Sequence, residues 1–342
     1  MEPKEIQGIV ERLRGKWSAR NEIFLKDRHI RDLVPPVQRK GVEDITINEP
    51  KVLWETATTL ISLYPPKFRI PLSTDITDDE KKKMNKTERF LIGVFREVNR
   101  NSQESGYGDW NRNLAFWVLS GWYAIFPLVV LEDGETKFYA DLYDPITIFP
   151  EWDTKGLKRL ARSYSARGSE AKGILEDFNM KEELKEDELI EIINYWERTS
   201  EGVFNTVLLA GKPIKPWTKE NFPYIPIFTG PVAGNPERHY RSGDVNYLAN
   251  MGQSVLSQNR DMYGKINRYL SFLYQISGES ASPPIQDFTQ EGIQSVPPEA
   301  LQPGAIIPRR VGEPLQPIQK TLTPIDSNVI LNFLQQMIQR GG

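Results

Sequence analysis

The sequence contains no cysteine, and only two of its 342 residues are histidine. Without cysteine there can be no disulfide framework, no thiolate metal site and no cysteine nucleophile. His29 and His239 are too few to build a zinc, copper or haem site on His and Cys ligands, and each lies in a charged stretch where a surface role is ordinary. The composition therefore predicts a protein without a metal or cofactor.

A long apolar run is also missing. The N-terminal residues MEPKEIQGIV lack the hydrophobic segment of a signal peptide. The longest apolar stretches, such as Tyr123 to Leu131, are too short for a membrane helix, so we expect a soluble protein made without export. The formal net charge is −3, so no global basic field indicates nucleic-acid binding, and a DNA partner would have to meet local patches.

The common catalytic motifs are absent: there is no phosphate-binding loop, no dinucleotide fingerprint, no G-x-S-x-G and no H-E-x-x-H. Two carboxylate pairs, Asp141 with Asp144 and Glu151 with Asp153, have the residue types of a glycosidase-like acid and base, and eight tryptophans could form a sugar platform. Asp144-Pro145 is also a common turn former. We therefore expect no enzymatic activity and no catalytic residue, and keep a carboxylate-dependent hydrolase as a third hypothesis.

Helical periodicity dominates the first third of the sequence. Residues 4–34 predict an amphipathic helix with an excess of basic residues, which is either a solvated helix or an arm that touches a partner or nucleic acid. A second helix is predicted from Asn48 to the Tyr64-Pro65-Pro66 break, a third from Asp78 or Asp79, and a fourth from Asp109 to Ser120.

The pattern then changes to that of strands. Tyr123–Leu131 and Thr136–Leu142 predict a hairpin closed by a turn at residues 132–135. Lys181–Glu191 looks helical or changes from helix to strand, and recurring prolines between Pro213 and Pro236 predict irregular or edge structure. The other predicted pieces are a helix at Glu170–Asn179 and short strands at Ile146–Phe149, Leu157–Ser165, Ile192–Trp196, Val203–Leu209, Pro284–Phe288 and Ala305–Pro308.

The strongest single pattern predicts one unbroken helix from Asp244 to Ile276. Its seam positions step by three and four residues, the spacing of helices that pack side by side at a shallow angle. The seam comprises Val245, Leu248, Gly252, Val255, Asn259, Met262, Ile266, Tyr269, Leu273 and Ile276. Three kinds of packing fit it: contacts between copies of the chain, a coiled hairpin with a closing helix at Ile325–Arg340, or burial in a large core.

Basic residues form three local groups that could meet nucleic acid, although each such group taken alone is more often a solvated surface. The first lies on the predicted long helix and the second follows a short strand. The groups are Arg260, Lys265 and Arg268; Arg309 and Arg310; and Lys158, Arg159 and Arg162.

Four segments, taken in order, resemble the portal protein of tailed bacteriophages. The first is a helix running into a Pro-Pro break and a strand (residues 48–71), and the second is Glu88–Asn101 with Trp110 and Leu119–Trp122 leading into the hairpin. The third is the Tyr143–Pro150 sequence YDPITIFP, and the fourth is the long helix followed by a Pro-rich segment. The resemblance covers most of the chain.

The resemblance implies an α+β subunit of a ring, generally of twelve copies, around a DNA channel. Residues 1–240 would form a mixed helix and sheet wing, 241–276 the first stem helix, 277–323 a small Pro-rich clip and 324–342 the second stem helix. Portal subunits usually continue into a channel loop, a kinked helix and a crown. The sequence ends at Gly342, so these parts are expected to be missing.

The function that the resemblance implies is structural. Double-stranded DNA would be packaged and ejected through the ring at the capsid vertex, with the major capsid protein, the terminase motor and later the head–tail adaptor as partners. The subunit would lie in the virion, and in the host cytoplasm during assembly. A different virion component, such as a head–tail adaptor or minor capsid protein, is the alternative.

Overall fold

The computed structural model describes residues 1–35, 44–64, 66–70, 77–132, 134–178, 180, 184–232, 252–281, 285–289 and 306–310, with the single positions Asn332 and Gln336. The chain divides into two compact units. The first consists of Met1–Phe24 and Ala57–Ser254, and the second of Leu25–Thr56 and Val255–Gly342.

The first unit is built around a five-stranded antiparallel sheet whose strands follow one another in chain order. These strands are β3 (Ile148–Asp153), β4 (Gly156–Arg167), β5 (Leu189–Arg198), β6 (Val203–Leu209) and β7 (Lys212–Glu220). Because side chains alternate between the two faces of a strand, both faces can bury apolar residues. Helix α1 (Pro3–Arg31) covers one face, where Val10, Leu13 and Trp17 pack against Ile193 and Leu208.

The opposite face of this sheet is covered by a short helix, α5 (Gly168–Asp177), whose Ala171 and Leu175 pack against Ile192 and Leu209. Prolines place β7 at the edge, as the sequence predicts, since a proline cannot donate to a neighbouring strand. The pairing of β6 with β7 shifts register between Asn205 and Leu208.

A second sheet of three strands, ordered β2-β1-β8, belongs to the same unit. It consists of β1 (Trp122–Glu132), β2 (Glu135–Leu142) and β8 (Phe228–Pro231), and β1 and β2 form the predicted hairpin with Glu132 opposite Glu135. Helix α3 (Asp78–Glu104) lies along β2, and helix α4 (Trp110–Leu119) packs against β1 and α3. Their side chains satisfy the free edge of β2: Asn101 Nδ2 and Trp110 Nε1 donate to the carbonyls of Phe138 and Ala140 at 2.9 and 2.6 Å.

Helix α2 (Glu49–Ser62) starts and stops where the sequence predicts, but several of its apolar side chains are exposed. Val52, Leu60 and Ile61 are each more than half exposed, whereas Trp54 and Thr58 are buried. The start of α3 is fixed by a capping box, because the Thr77 hydroxyl accepts from Glu80 N and the Glu80 carboxylate accepts from Thr77 N.

The second unit contains the C-terminal turns of α1, residues 44–56 and helix α6 (Arg260–Ala281). Asp27 on α1 forms an ion pair with Arg260, with two N–O distances of 2.5 and 2.8 Å. The extended segment before α2 is held on α6 by two bonds: Ile45 N donates to Ser271 Oγ and Ile47 N to Asn267 Oδ1. Beyond α6, strands β9 (Ile285–Thr289) and β10 (Ile306–Arg310) pair in parallel.

The α+β class is confirmed, and so are helices α1 to α5, the hairpin, β3 to β6 and the two short strands after residue 280. One prediction within Lys181–Glu191 is wrong in part: residues 184–188 are irregular and β5 begins at Leu189, without a helix among the described residues there. The closing helix at Ile325–Arg340 lies outside the described residues, apart from Asn332 and Gln336, which are helical. The division into wing, stem and clip stays a prediction.

The prediction of one unbroken helix from Asp244 to Ile276 is wrong. Residues 252–259 are not helical, and α6 begins only at Arg260 and continues to Ala281. Gly252 has φ +78°, a left-handed conformation that interrupts an α-helix. In addition, Gln253 N donates to Val232 O instead of a carbonyl one helical turn back. The backbone of this segment is therefore committed to neighbouring loops. Residues 244–251 lie outside the described residues.

Candidate functional site

The YDPITIFP segment, residues 143–150, is clamped by side chains of α1. Trp17 Nε1 donates to Pro150 O at 2.8 Å, and Asn21 Nδ2 donates to Ile146 O at 2.8 Å. Arg20 Nη2 reaches two carbonyls, those of Pro145 and Ile148, at 3.0 and 2.8 Å. The four hydrogen bonds from these three donor atoms fix the path of the segment, since a short 3₁₀ turn satisfies few of its carbonyls within its own backbone.

Arg20 is the fully buried cation of this clamp. Its guanidinium lies over the rings of Trp17 and Trp122, at 4.5 and 4.7 Å from their centroids, and 5.5 Å from that of Phe24. Burial lowers the pKa of Arg20 to about 9, and the Asp144 carboxylate opposes this shift. The group is therefore charged at neutral pH, stabilised by ring faces and carbonyl dipoles.

A cavity of about 750 Å³ lies beside the clamped segment, between α3, α4 and β2. Trp110 and Trp117 come from α4 and Tyr139 from β2, and Asn113 Nδ2 donates to Tyr107 O at 2.6 Å, which fixes the loop before α4. The aromatic residues that line the cavity are Tyr107, Trp110, Phe116, Trp117, Tyr139 and Tyr143.

Three charged side chains line the same cavity: Asp141, Asp144 and Arg162. The Arg162 guanidinium lies over the rings of Tyr143 and Tyr164, at 3.8 and 4.3 Å from their centroids. The Asp144 carboxylate accepts from Ile146 N at 3.0 Å and so caps the 3₁₀ turn. Partial burial raises the pKa of Asp141, and the charge of Arg162 works against this rise.

The two carboxylate pairs considered from the sequence therefore differ. Asp141 and Asp144 do line one cavity. In the other pair, Glu151 forms an ion pair with Arg159 at 3.1 Å, and Asp153 forms one with Arg198 at 2.6 Å. A hydrogen bond from Lys155 N, together with Arg198, lowers the pKa of Asp153, which disfavours a proton-donating role.

The predicted packing seam divides between two kinds of structure. Val255 and Asn259 lie in the turn before α6, whereas Met262, Ile266 and Tyr269 lie on the helix. Ile266 is 1% exposed within the single chain, and Met262, Tyr269 and Leu273 are half-buried. The buried line of α6 runs through Tyr263 and Ile266, so the seam shares Ile266 with a face that the single chain already buries, while its other members on the helix lie at the flank of that face.

The residues predicted to contact DNA or a partner also lie in different structural settings. The guanidinium of Arg260 is paired with the nearly buried Asp27, and a contact of Arg260 with DNA or a partner stays a prediction. Lys265 and Arg268 are exposed on α6, where they form one line with Asp261 and Phe272. Arg309 and Arg310 lie on β10, and their side chains are outside the described set.

The third basic group is integrated into the first unit. Arg159 pairs with Glu197, whose carboxylate also accepts from Tyr195 Oη at 2.7 Å. Arg162 is stacked on tyrosine rings beside the cavity. The structure therefore does not present Arg159 and Arg162 as a solvated basic patch.

Sequence reasoning missed Arg20 and the cavity. Arg20 reads as one of many charges on α1, and nothing in its spacing distinguishes a buried arginine from an exposed one. A signal was present for the cavity, since aromatic residues are dense between positions 107 and 117 and again between 138 and 143. Their convergence depends on α4 lying along the hairpin, which local pattern does not predict.

In the part of the chain that the structure describes, no helix combines the length and apolar character needed to span a bilayer. Among the same residues, no three His, Asp or Glu side chains converge to hold a metal ion. No protein-family model matches the chain, and no curated protein is significantly similar to it.

Proposed function

We propose that this protein is a structural subunit of a ring-shaped phage portal, through which double-stranded DNA enters and leaves the capsid. In this role the subunit carries no chemistry of its own. It packs against copies of itself, the major capsid protein holds the ring at the vertex, and the terminase motor and later the head–tail adaptor dock on it.

The order of the elements is the observation that carries this proposal. A mixed helix and sheet unit comes first, then helix α6, then two short strands, β9 and β10, that pair in parallel. A portal subunit has this order: a wing, a stem helix and a small β-containing clip. The helix is shorter than the sequence predicts, at 22 residues or about 33 Å along its axis.

Exposed apolar side chains on the single chain support an assembly. Phe272 and Tyr274 are 43% and 53% exposed on α6, and Val129 and Leu131 are 61% and 74% exposed at the end of β1. Scattered single residues of this kind are normal on a monomer. The pair on β1 lies on one face of the strand, and Phe272 and Tyr274 lie on different sides of α6, so the two elements offer apolar surface that other subunits could cover.

The charge of the chain fits a conduit. Each lysine or arginine that binds a phosphate must release it again before DNA can move, so dense positive charge in a channel would oppose sliding. A formal net charge of −3 avoids such binding. The ion pairs of Arg260 with Asp27 and Arg159 with Glu197 also take cations out of the solvated surface.

Particle mass and shape test the proposal. Light scattering of the purified chain should give a mass of about 470 kDa if twelve copies of the 39.3 kDa chain form a closed ring, and negative-stain images should show a central channel. A strict monomer at every protein concentration would contradict the proposal. If labelled protein in virions lies away from the portal vertex, the adaptor or minor capsid alternative holds instead.

A further inference from the structure

Asp141 is the one charged group of the cavity whose role in the fold is unexplained. Asp144 caps the 3₁₀ turn, and Arg162 is stacked between two tyrosine rings. Within the described ranges, Asp141 is an exposed residue with no close ion pair or side-chain hydrogen bond, and the charge that acts on its carboxylate is that of Arg162. Its carboxylate therefore keeps most of its hydrogen-bonding capacity for a group from outside the chain.

The walls of the cavity restrict what that group can be. A volume of about 750 Å³ is ordinary for a small-molecule site, and six aromatic side chains line it. Aromatic ring faces attract cations and also cover apolar carbon chains. Of the two carboxylates that line the cavity, Asp144 caps the turn and faces the charge of Arg20, so Asp141 is the carboxylate that remains for a cation.

Trp110 and Trp117 are suited to act as fixed walls. Trp110 Nε1 is committed to Ala140 O at 2.6 Å, and the Trp110 ring packs edge-on against Phe95 at 5.8 Å between centroids. Trp117 packs in the same way against Phe116, at 5.2 Å. Since these rings are held by neighbours, a ligand would lose little free energy to ordering them.

We propose that the cavity binds an alkylguanidinium or alkylammonium group, with its charge on the Asp141 carboxylate and its carbon chain against Trp110 and Trp117. Arg162 lies over the rings of Tyr143 and Tyr164, and its buried Nε has no hydrogen-bond partner among the described residues, so Arg162 is the group of the cavity that opposes a bound cation. The cation is either a free small amine or an arginine or lysine side chain of a second copy of this chain. The site does not depend on the portal proposal, and its binding chemistry is the same for both sources.

Ligand-observed saturation-transfer NMR tests this with n-butylguanidinium and its neutral counterpart, n-butylurea, which has nearly the same shape. We expect n-butylguanidinium to bind the full chain with a Kd on the order of 1 mM. Asp141→Asn should weaken this binding about tenfold, because a charge-assisted hydrogen bond is lost. The same variant should leave the weaker binding of n-butylurea unchanged, which shows that the cavity is intact.

Glu201→Gln is the matched control, because Glu201 is an exposed carboxylate in the turn between β5 and β6 and is not part of the cavity. It should bind both probes as the wild-type chain does. Asp141→Ser provides a second variant if the asparagine variant fails to fold. The proposal would be overturned if the wild-type chain did not bind n-butylguanidinium. It would also be overturned if both Asp141 variants bound n-butylguanidinium as tightly as the wild-type chain does.

Light scattering in saturating n-butylguanidinium separates the two sources of the cation. If an arginine or lysine of a second copy occupies the cavity, the probe should lower the particle mass. If the natural occupant is a free amine, the mass should stay the same while binding persists. Binding by a strictly monomeric chain would contradict the portal proposal and leave the cavity proposal standing.

Discussion

At the scale of single residues, the buried Arg20 determines how the YDPITIFP segment is held. A buried cation without a carboxylate in an ion pair is costly, and the lowered pKa of Arg20 reflects that cost. Three ring faces and two carbonyls compensate, because each presents negative potential to the guanidinium. The planar fork of arginine serves both carbonyls from one nitrogen, which a lysine ammonium could not do while also stacking on rings.

Arg20→Met tests this clamp. The change removes the desolvation cost of the charge but also two charge-assisted hydrogen bonds, at about 1.5–3 kcal/mol each, and Pro145 O then keeps only the backbone N–H of Ile148 among the described donors. We therefore expect a net loss of about 3 kcal/mol in the free energy of unfolding, measured by urea titration. Arg12→Met is the control: Arg12 is 58% exposed and, among the described residues, pairs with Glu151, so about 0–1 kcal/mol should be lost. A loss below 1 kcal/mol for Arg20→Met would show that Trp17 and Asn21 hold the segment alone.

At the scale of elements, the close approach of Gly121 and Gly252 explains where helices end. Gly121 ends α4 with φ +93°, and Gly252 has φ +78°. A Cβ on Gly121 would lie 2.7 Å from the carbonyl carbon of Gln253, and a Cβ on Gly252 would overlap Gly121 O. Val232 N donates to Gly121 O, so three loops meet in a backbone contact that allows no side chain.

Gly252→Ala and Gly264→Ala form a matched pair. The first forces a side chain into a left-handed conformation and into the Gly121 carbonyl, and should cost about 2–3 kcal/mol in the free energy of unfolding. Gly264 lies inside α6 with open space around its Cα, so the same substitution there should stabilise the protein by about 0.5–1 kcal/mol. Thermal unfolding of both variants measures this. Equal effects would mean that the loops separate at little cost and that Gly252 does not limit the helix.

The helical spacing failed at this element for a physical reason. Positions 252, 255 and 259 continue the three and four residue steps of the seam, so the pattern includes them. A pattern of side chains does not record that a glycine takes a left-handed φ or that a backbone N–H is bound to a distant carbonyl. Helix α6, which begins at Arg260, does show the helical periodicity of apolar residues, because Tyr263 and Ile266 are buried about one turn apart.

At the scale of the whole molecule, the structure separates residues that hold the chain together from residues left for partners. From the seam alone, Ile266→Asp would be expected to disturb assembly. The structure shows that Ile266 is already buried within the single chain, so this substitution would place a charge inside the fold. It should destabilise the second unit by several kcal/mol, an effect on folding instead of assembly. Phe272 on the exposed line of α6 is the position that tests assembly.

We expect Phe272→Gln to reduce the particle mass seen by light scattering while the melting temperature stays close to that of the wild-type chain, because the removed ring is 43% exposed. Lys265→Gln, on the same exposed line, introduces the same side chain without removing apolar surface and should assemble normally. If Phe272→Gln assembles as the wild-type chain does, the exposed line of α6 is not an interface between copies.

The sequence by itself determined the elements whose cause is local. Thr77 and Asp109 cap their helices, Pro65 and Pro66 follow the end of α2, and Gly134 makes the turn of the hairpin, because capping and turn chemistry act within a few residues. Tertiary structure alone decided which charges are buried, which aromatics converge and where the long helical pattern breaks. Arg20, Asp141 and Gly252 depend on atoms contributed by residues more than twenty positions away, and no local pattern encodes such distances.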